Sequence, residues 1–374
     1  CALPIWSARA KFSAVRHPNM NLDLTSRLSQ GLPHMTVLMV GEWLILLSLL
    51  IGVLLFLALG KDPWRALQMF FYEPIRSAYA WGELSIKATP LLLIALGLAV
   101  CFRSNVWNIG AEGQFVVGAV AASGVALLAD RSSPSGFFVL VLVAGMLGGG
   151  AWAAITAWLR DRFHASEILV SLMLVYVAEM LLAYLVYGPW KDPAGYNFPQ
   201  SRTFDAVAQV PRLMDGSRMH LGLLFALIGV LLLWLYLFRT RAGYAQQVGG
   251  LAPLAARYAG FSSRRALWSA LGISGVMAGL AGALEVAGPI RQLTPYVPTG
   301  YGFAAIIVAF VGRLHPVGLV LSAVLMSMFY IGGELAQSRL GLPKSITGVF
   351  QGLLLFALLA CDTLVQRRLR WRRA

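Results

Sequence analysis

The stretch NVWNIGAEGQFVVGAV, residues 105–120, decides how this chain is read. It places Asn105, Asn108, Glu112 and Gln114 within ten positions, together with Gly110 and Gly113. Apolar runs flank it, Leu91 to Phe102 before and Phe115 to Ala129 after. Carboxyl and amide groups are costly at membrane depth unless they are paired or face water. The glycines permit a tight turn or a close helix contact. A helix starting near Glu112 presents free backbone N–H groups that favour acids and solute oxygens. The plainer reading is a turn at the membrane surface whose Glu112 caps the following helix. The functional reading is a broken helix on a solute pathway.

The rest of the chain supplies the membrane. Of 374 residues, 58% are hydrophobic and only 12% charged, against about 25% charged in soluble domains. The mean hydropathy is +0.71. Apolar runs of spanning length recur throughout, and no ten-residue alternating segments of a membrane barrel are present. The expectation is an all-α polytopic membrane protein of about ten transmembrane helices. The expected spans are 36–59, 89–103, 113–130, 137–159, 167–188, 219–238, 268–288, 303–314, 316–334 and 346–364. The second and eighth are short, as in broken helices that line a protein-enclosed pathway.

Charge sets the expected orientation. Residues 239–267 carry Arg239, Arg241, Arg257, Arg264 and Arg265 and no acid. The tail 365–374 carries five arginines, and the arm 1–35 is basic. The positive-inside rule puts these three segments, and so both termini, in the cytoplasm. The net charge of +14 is read as this loop bias rather than as nucleic-acid binding. The basic tail can also rest on anionic lipid. The 189–218 loop mixes both charges with four prolines and is expected outside. The chain opens with CALPI, which resembles translated adapter sequence, and its first methionine is Met20. The first residues are therefore expected to be non-native and receive no functional role.

Three further stretches carry candidate chemistry. Residues 239–265 are too polar to span; Pro253 suits a first helical turn and Gly260 a helix stop. Ala255, Ala256 and Ala259 give a small-residue face for a partner's groove; a solvated basic loop is the plainer reading. GISGVMAGLAGALEVAG (272–288) contains Gly275 and Gly279 in a GxxxG packing pattern. Its Gly272–Ser274–Gly275 also matches the GxSG of rhomboid-type intramembrane proteases, with His315 as a possible base. Glu285 lies in this span with no partner evident from sequence. PIRQLTPYVPTGYGFAAIIVAFVG (289–312) is a second break before a short apolar run. Two breaks, one in each half, predict an inverted repeat with a site between the halves. No P-loop, HExxH, CxxC or His/Cys cluster occurs, so neither a metal nor a cofactor is expected and ATP is not handled by this chain.

Together the motifs resemble one family. FRSNVWNIGAEGQFVVGAVAA (102–122), QVGGLAPLAARYAGF (247–261) and GYGFAAIIVAFVGRLHPVGLVLSAVLM (300–326) are similar to permease subunits of bacterial ABC importers, in the group covering simple sugars, branched-chain amino acids and nucleosides. The resemblance runs from about residue 36 to 364, with GPWKDPAGYNFPQS (188–201) and the Glu of NIGAEGQ similar to the nucleoside branch. Two departures stand out: Ala252 precedes Pro253 where the family has Asn, and Ser166 replaces an Asn before Glu167.

The resemblance implies an inner-membrane subunit that is not itself an enzyme. It implies ABC ATPase subunits, a second permease subunit in a homo- or heterodimer, and an extracytoplasmic substrate-binding lipoprotein. It also implies that Asn108, Glu112, Gln114, Tyr301 and Phe303 line or shape the substrate pathway. Gly249, Pro253, Ala255, Ala256, Arg257 and Gly260 form the element that couples to the ATPase. A nucleoside is the expected solute, with a simple sugar or branched-chain amino acid as the alternative. An ion-coupled secondary transporter using Glu112 and Glu285 remains a competing class.

Overall fold

The computed structural model describes residues 60–341 apart from positions 131 and 215, and scattered positions within 50–57 and 345–356. The N-terminal arm, the basic tail, and most of the expected spans 36–59 and 346–364 lie outside the described residues.

Eleven α-helices are present among the described residues: α1 Pro63–Phe71, α2 Ala78–Arg103, α3 Ala111–Ala126, α4 Phe137–Phe163, α5 Glu167–Tyr187, α6 Gly222–Arg239, α7 Arg241–Leu251, α8 Pro253–Tyr258, α9 Ser263–Glu285, α10 Tyr301–Val311 and α11 Pro316–Leu340. A π-helical turn, Val286–Ile290, extends α9. Among the described residues six helices, α2, α4, α5, α6, α9 with its π turn, and α11, are long and apolar enough to cross a membrane. The chain is a multi-pass all-helical membrane protein.

Local chemistry sets the ends. Ser77 opens α2 by accepting from Ala80 N at 3.1 Å, and Ser262 opens α9 by accepting from Arg265 N at 3.3 Å. Pro63, Pro253 and Pro316 occupy first turns, where a missing N–H costs nothing. Gly341 ends α11 in the left-handed conformation. The expected span 89–103 is the C-terminal part of α2, which starts eleven residues earlier at Ala78. Its first turns carry Glu83 and Lys87, which hide them from a hydropathy reading. Pro90 is tolerated within the helix.

The centre of the bundle is α9, which packs on α2, α3, α4 and α7. Gly275 and Gly279 face Gly145 and Gly149 on α4. A Cβ at Gly275 would stand 2.5 Å from the Ala153 Cβ and 2.6 Å from the Gly149 carbonyl oxygen. Gly118 of α3 meets Gly279 from another side, with the Gly279 oxygen 2.7 Å from where its Cβ would be. Three backbones thus converge where only hydrogen-sized side chains fit. Lipid gives helices little hydrophobic reason to associate, so close packing through small residues takes that role.

Candidate functional site

Between α2 and α3 lies the first break, 104–110, and between α9 and α10 the second, 291–300. Each is anchored at a different end of the bundle. The first starts where Arg103 Nε donates to the Leu314 carbonyl at 2.7 Å and where a Cβ on Gly250 would overlap the Ser104 carbonyl. The second starts under the 189–218 loop, where Ser201 N, Phe204 N and Val210 N donate to the carbonyls of Leu293, Arg291 and Ala287, each at 2.9 Å. From these opposite ends both breaks run inward. The helices that follow are short, roughly 24 Å for α3 and 16 Å for α10, each less than the ~30 Å of a bilayer core.

The two short helices meet at their N-termini. The Glu112 carboxylate accepts from Gly300 N at 2.9 Å and also from Gly302 N. Glu112 therefore caps α10, not the helix it belongs to. Gly302 lies flat on the first turn of α3: a Cβ there would stand 2.5 Å from the Glu112 Cα and 2.8 Å from the Ala111 carbonyl carbon. Any larger residue would part the two helix ends.

Beside this junction is a buried polar cluster. Asn108 Nδ2 donates to Gln114 Oε1 at 3.0 Å and to the Ser274 hydroxyl at 2.9 Å. Gln114 Nε2 donates back to Asn108 Oδ1 at 3.2 Å, and Gly110 N donates to the same oxygen at 3.2 Å. All three side chains are buried. Tyr301 is fully buried, edge-on to Phe115 at 5.9 Å and to Tyr330 at 5.4 Å. Among the described residues its hydroxyl has no hydrogen-bond partner; the Thr299 side chain lies near it without hydrogen-bond geometry. Phe303 is 40% exposed and stands apart from this group. The structure thus joins Asn108 to Gln114 and joins Glu112 to the first turn that contains Tyr301.

Ser274 was legible in sequence only as a possible nucleophile. In the structure its hydroxyl accepts from Asn108, while the His315 ring lies against Phe238 at 5.3 Å, and no hydrogen bond joins the serine to the histidine. Glu285 is buried in the field of Lys87, Arg218 and Glu334, and no hydrogen bond to it is made among the described residues. Lys87 itself pairs with Glu334 at 3.1 Å and lies 5.9 Å from the Tyr301 ring centroid.

At the Ser104 end of the bundle, α7 and α8 form the segment expected to couple. Thr240 caps α7 by accepting from Gly243 N at 3.0 Å. Ala252 offers α8 no side-chain cap, and Gly260 follows at φ +78°. Ala256 is fully buried against its own chain and accepts from Phe261 N at 2.8 Å. Leu254, Ala255, Arg257, Tyr258 and Ala259 are exposed. The expected small-residue face is therefore split: Ala256 anchors α8 to the bundle, while Leu254 and Tyr258 project outward. Gly249 is buried, with room for a Cβ only 3.0 Å from that of Ala266.

At the opposite end, Val210, Arg212, Arg218, His220, Gly288, Pro289 and Arg291 line an open pocket. Arg218 pairs with both carboxylate oxygens of Glu83. His220 precedes α6, accepts from Gly222 N at 3.1 Å, and packs on Gly288. Burial pushes its imidazole down to about 4.

Comparison with known proteins finds ABC transporter permeases. The chain is 32% identical over 361 residues to a glucose ABC transporter permease protein of Haloferax volcanii, covering 92% of each chain. It is 30% identical to a guanosine ABC transporter permease protein of Bacillus subtilis, over 82% of this chain and 88% of that one. It is 26% identical to a nucleoside ABC transporter permease protein of Lactococcus lactis subsp. cremoris, over 83% and 88%. No solved structure matches the chain. The model of one family, the branched-chain amino acid transport system permease component, matches residues 82–359, and the chain belongs to that family: it is the membrane-spanning permease component of a transport system.

Proposed function

We propose that this permease serves an ATP-driven ABC importer of the cytoplasmic membrane and moves a nucleoside delivered by an extracytoplasmic receptor. The observation that carries the reading is the junction of α3 and α10. Two half-length helices enter from opposite ends, their N-termini meet, and a buried amide and hydroxyl cluster lies beside them. Half-helix N-termini meeting inside a bundle are how transporters place backbone donors on a polar solute. On this reading the 189–218 loop is outside, 239–267 is cytoplasmic, about ten spans put both termini inside, and the two breaks mark an inverted repeat. Asn108, Glu112, Gln114 and Tyr301 shape the pathway from within, and Phe303 from an exposed position.

The contact of Gly250 with Ser104 supports the coupling role. It ties α7 directly to the first residue of the first break. Movement imposed on α8 through Leu254 and Tyr258 by an ATPase subunit would reach the junction through one backbone contact. A second permease subunit completes the passage. Nucleotide and receptor must each favour one of two conformations for such a device to turn over.

Guanosine and nucleoside permeases among the relatives favour a nucleoside. A simple sugar is the second reading, because the glucose permease of Haloferax volcanii matches over 92% of both chains. Uptake of labelled guanosine, glucose and leucine by the assembled transporter, with binding of each to its receptor, tests this. Guanosine binding and ATP-dependent uptake are expected. Selective uptake of glucose would replace the substrate, and uptake driven by an ion gradient without ATP would overturn the importer.

A further inference from the structure

Helix α5 buries one stripe, Glu167, Ser171, Val175, Ala178, Leu182 and Val186. That stripe packs on α3: Gly110 abuts Ser171, and Gly113 abuts Val175. At the border of the stripe stands Glu179, half-buried. Among the described residues it makes no hydrogen bond and no ion pair, and it shares the field of Glu112. Glu179 lies roughly 18 Å along a helix of about 32 Å, so it sits near mid-depth of a bilayer. Next to it on the exposed side, at helical spacing, come Tyr176, Met180, Met173, Tyr187 and Tyr184.

A carboxyl group at that depth is too costly to leave against lipid, and intramembrane acids face a protein interior or a water-filled passage. Tyr176, about 5 Å along the axis from Glu179, likewise stands near mid-depth, away from the interfaces where membrane tyrosines concentrate, whereas Tyr184 and Tyr187 lie toward the helix end. The chemistry of the face is specific. Tyrosine rings offer flat apolar surfaces for a base or sugar ring. The phenol and carboxyl oxygens accept hydrogen bonds from solute hydroxyls. No Lys or Arg occurs anywhere in Glu167–Tyr187, so the face offers no cation to a phosphate and sets the Glu179 carboxyl group against it.

We infer that the Glu179, Tyr176, Met180 and Tyr184 face of α5 is a solute-contacting wall of the translocation passage, taking a neutral, hydroxyl-bearing ring compound and rejecting its phosphorylated form. The inference rests on the importer reading. It adds a wall on the outer side of α5, at the level of the α3–α10 junction, to the residues that shape the pathway from within.

The test uses the full transporter, assembled with its ATPase and receptor partners in cells. Met180→Cys and Tyr176→Cys are treated with a charged, membrane-impermeant methanethiosulfonate, which needs a water-exposed thiol to react. Leu231→Cys on α6 is the apolar exposed control, and Cys101 is buried. Labelling at 176 and 180 several-fold faster than at 231, and slowed by guanosine or glucose but not by guanosine monophosphate, is expected. Equally slow labelling at all three positions overturns the inference, and so does fast labelling that no solute slows. Glu179→Leu is expected to reduce uptake about tenfold through loss of a hydrogen-bonding group; unchanged uptake at normal membrane abundance overturns it as well. A wild-type transporter that imports neither solute overturns the substrate reading instead. An importing transporter with unreactive Met180→Cys overturns only the assignment of this face.

Discussion

Glu112 closes the N-terminus of a helix that begins nearly half the chain away, bonding Gly300 across a sequence separation of 188 residues. The residue is in the first turn of α3, yet its carboxylate serves α10. This bond holds together the two helix ends around which the pathway is proposed to form.

Removing that carboxylate leaves the buried Gly302 N–H and the half-buried Gly300 N–H without their acceptor. Glu112→Ala is expected to cost about 1–2 kcal/mol, the range for loss of a helix cap, and to lower the temperature of inactivation in detergent. Glu112→Gln keeps one carbonyl acceptor and should lose less. Equal thermal stability of all three proteins would show that the bond holds nothing together.

The glycine contacts of α9 predict a sharper failure. Gly279 lies against Gly118, Gly145 and Gly149 at once. Gly279→Leu has nowhere to put its side chain and forces three helices apart, a cost of about 3 kcal/mol or more by the scale of overpacked cores. The expected readout is loss of folded protein in size-exclusion chromatography. Gly272→Leu is the control, because nothing lies within 4 Å of a Cβ there. If the Gly279 variant is as monodisperse as the control, the three-way contact does not hold the bundle.

On the proposed importer, α8 should show two separable defects. Ala256→Leu overfills a site buried against the chain itself, costing about 1–3 kcal/mol, and displaces α8. Tyr258→Ser removes an outward side chain and leaves the fold alone. Both should lower solute-stimulated ATP hydrolysis, but only the first should lower thermal stability. Normal coupling in Tyr258→Ser would remove that residue from the ATPase contact.

His220 predicts a pH dependence with a definite sign. In an unfolded chain its imidazole takes a proton near pH 6.5; in the folded protein burial pushes this down to about 4. Between those values the unfolded chain holds the extra proton. Stability is therefore full above about pH 6.5 and falls by about 3 kcal/mol as the pH drops to about 4. His220→Asn cannot titrate and should flatten the thermal-stability profile across that window. An unchanged profile would place the acid sensitivity elsewhere.

Much of the architecture was legible in the sequence because it is local. Seven of the observed helices coincide with expected spans to within about six residues at either end, since apolar runs and turn residues set those limits without reference to the rest of the chain. The start of α2 was missed because Glu83 and Lys87 interrupt the hydropathy signal, and their ion partners, Arg218 and Glu334, come from distant segments. Asn108, Glu112 and Gln114 stood out as polar groups between apolar runs. Ser274 stood out only through a GxSG match, because its partner Asn108 lies 166 residues away in the chain. Glu179 was invisible because one acid in a strongly apolar helix shifts no average.

By itself, then, the sequence determined a polytopic helical protein with a break before each of two short helices and a polar segment carrying Pro253 and Gly260. Only the tertiary structure decided that the breaks converge, that Glu112 caps α10 rather than α3, that Ala256 faces inward, and that α7 touches Ser104. The physical reason is range. Hydropathy, caps and turns act over a few residues, whereas the pairing of helix ends separated by nearly two hundred residues is selected by where glycines let backbones approach and by which buried donors still need an acceptor.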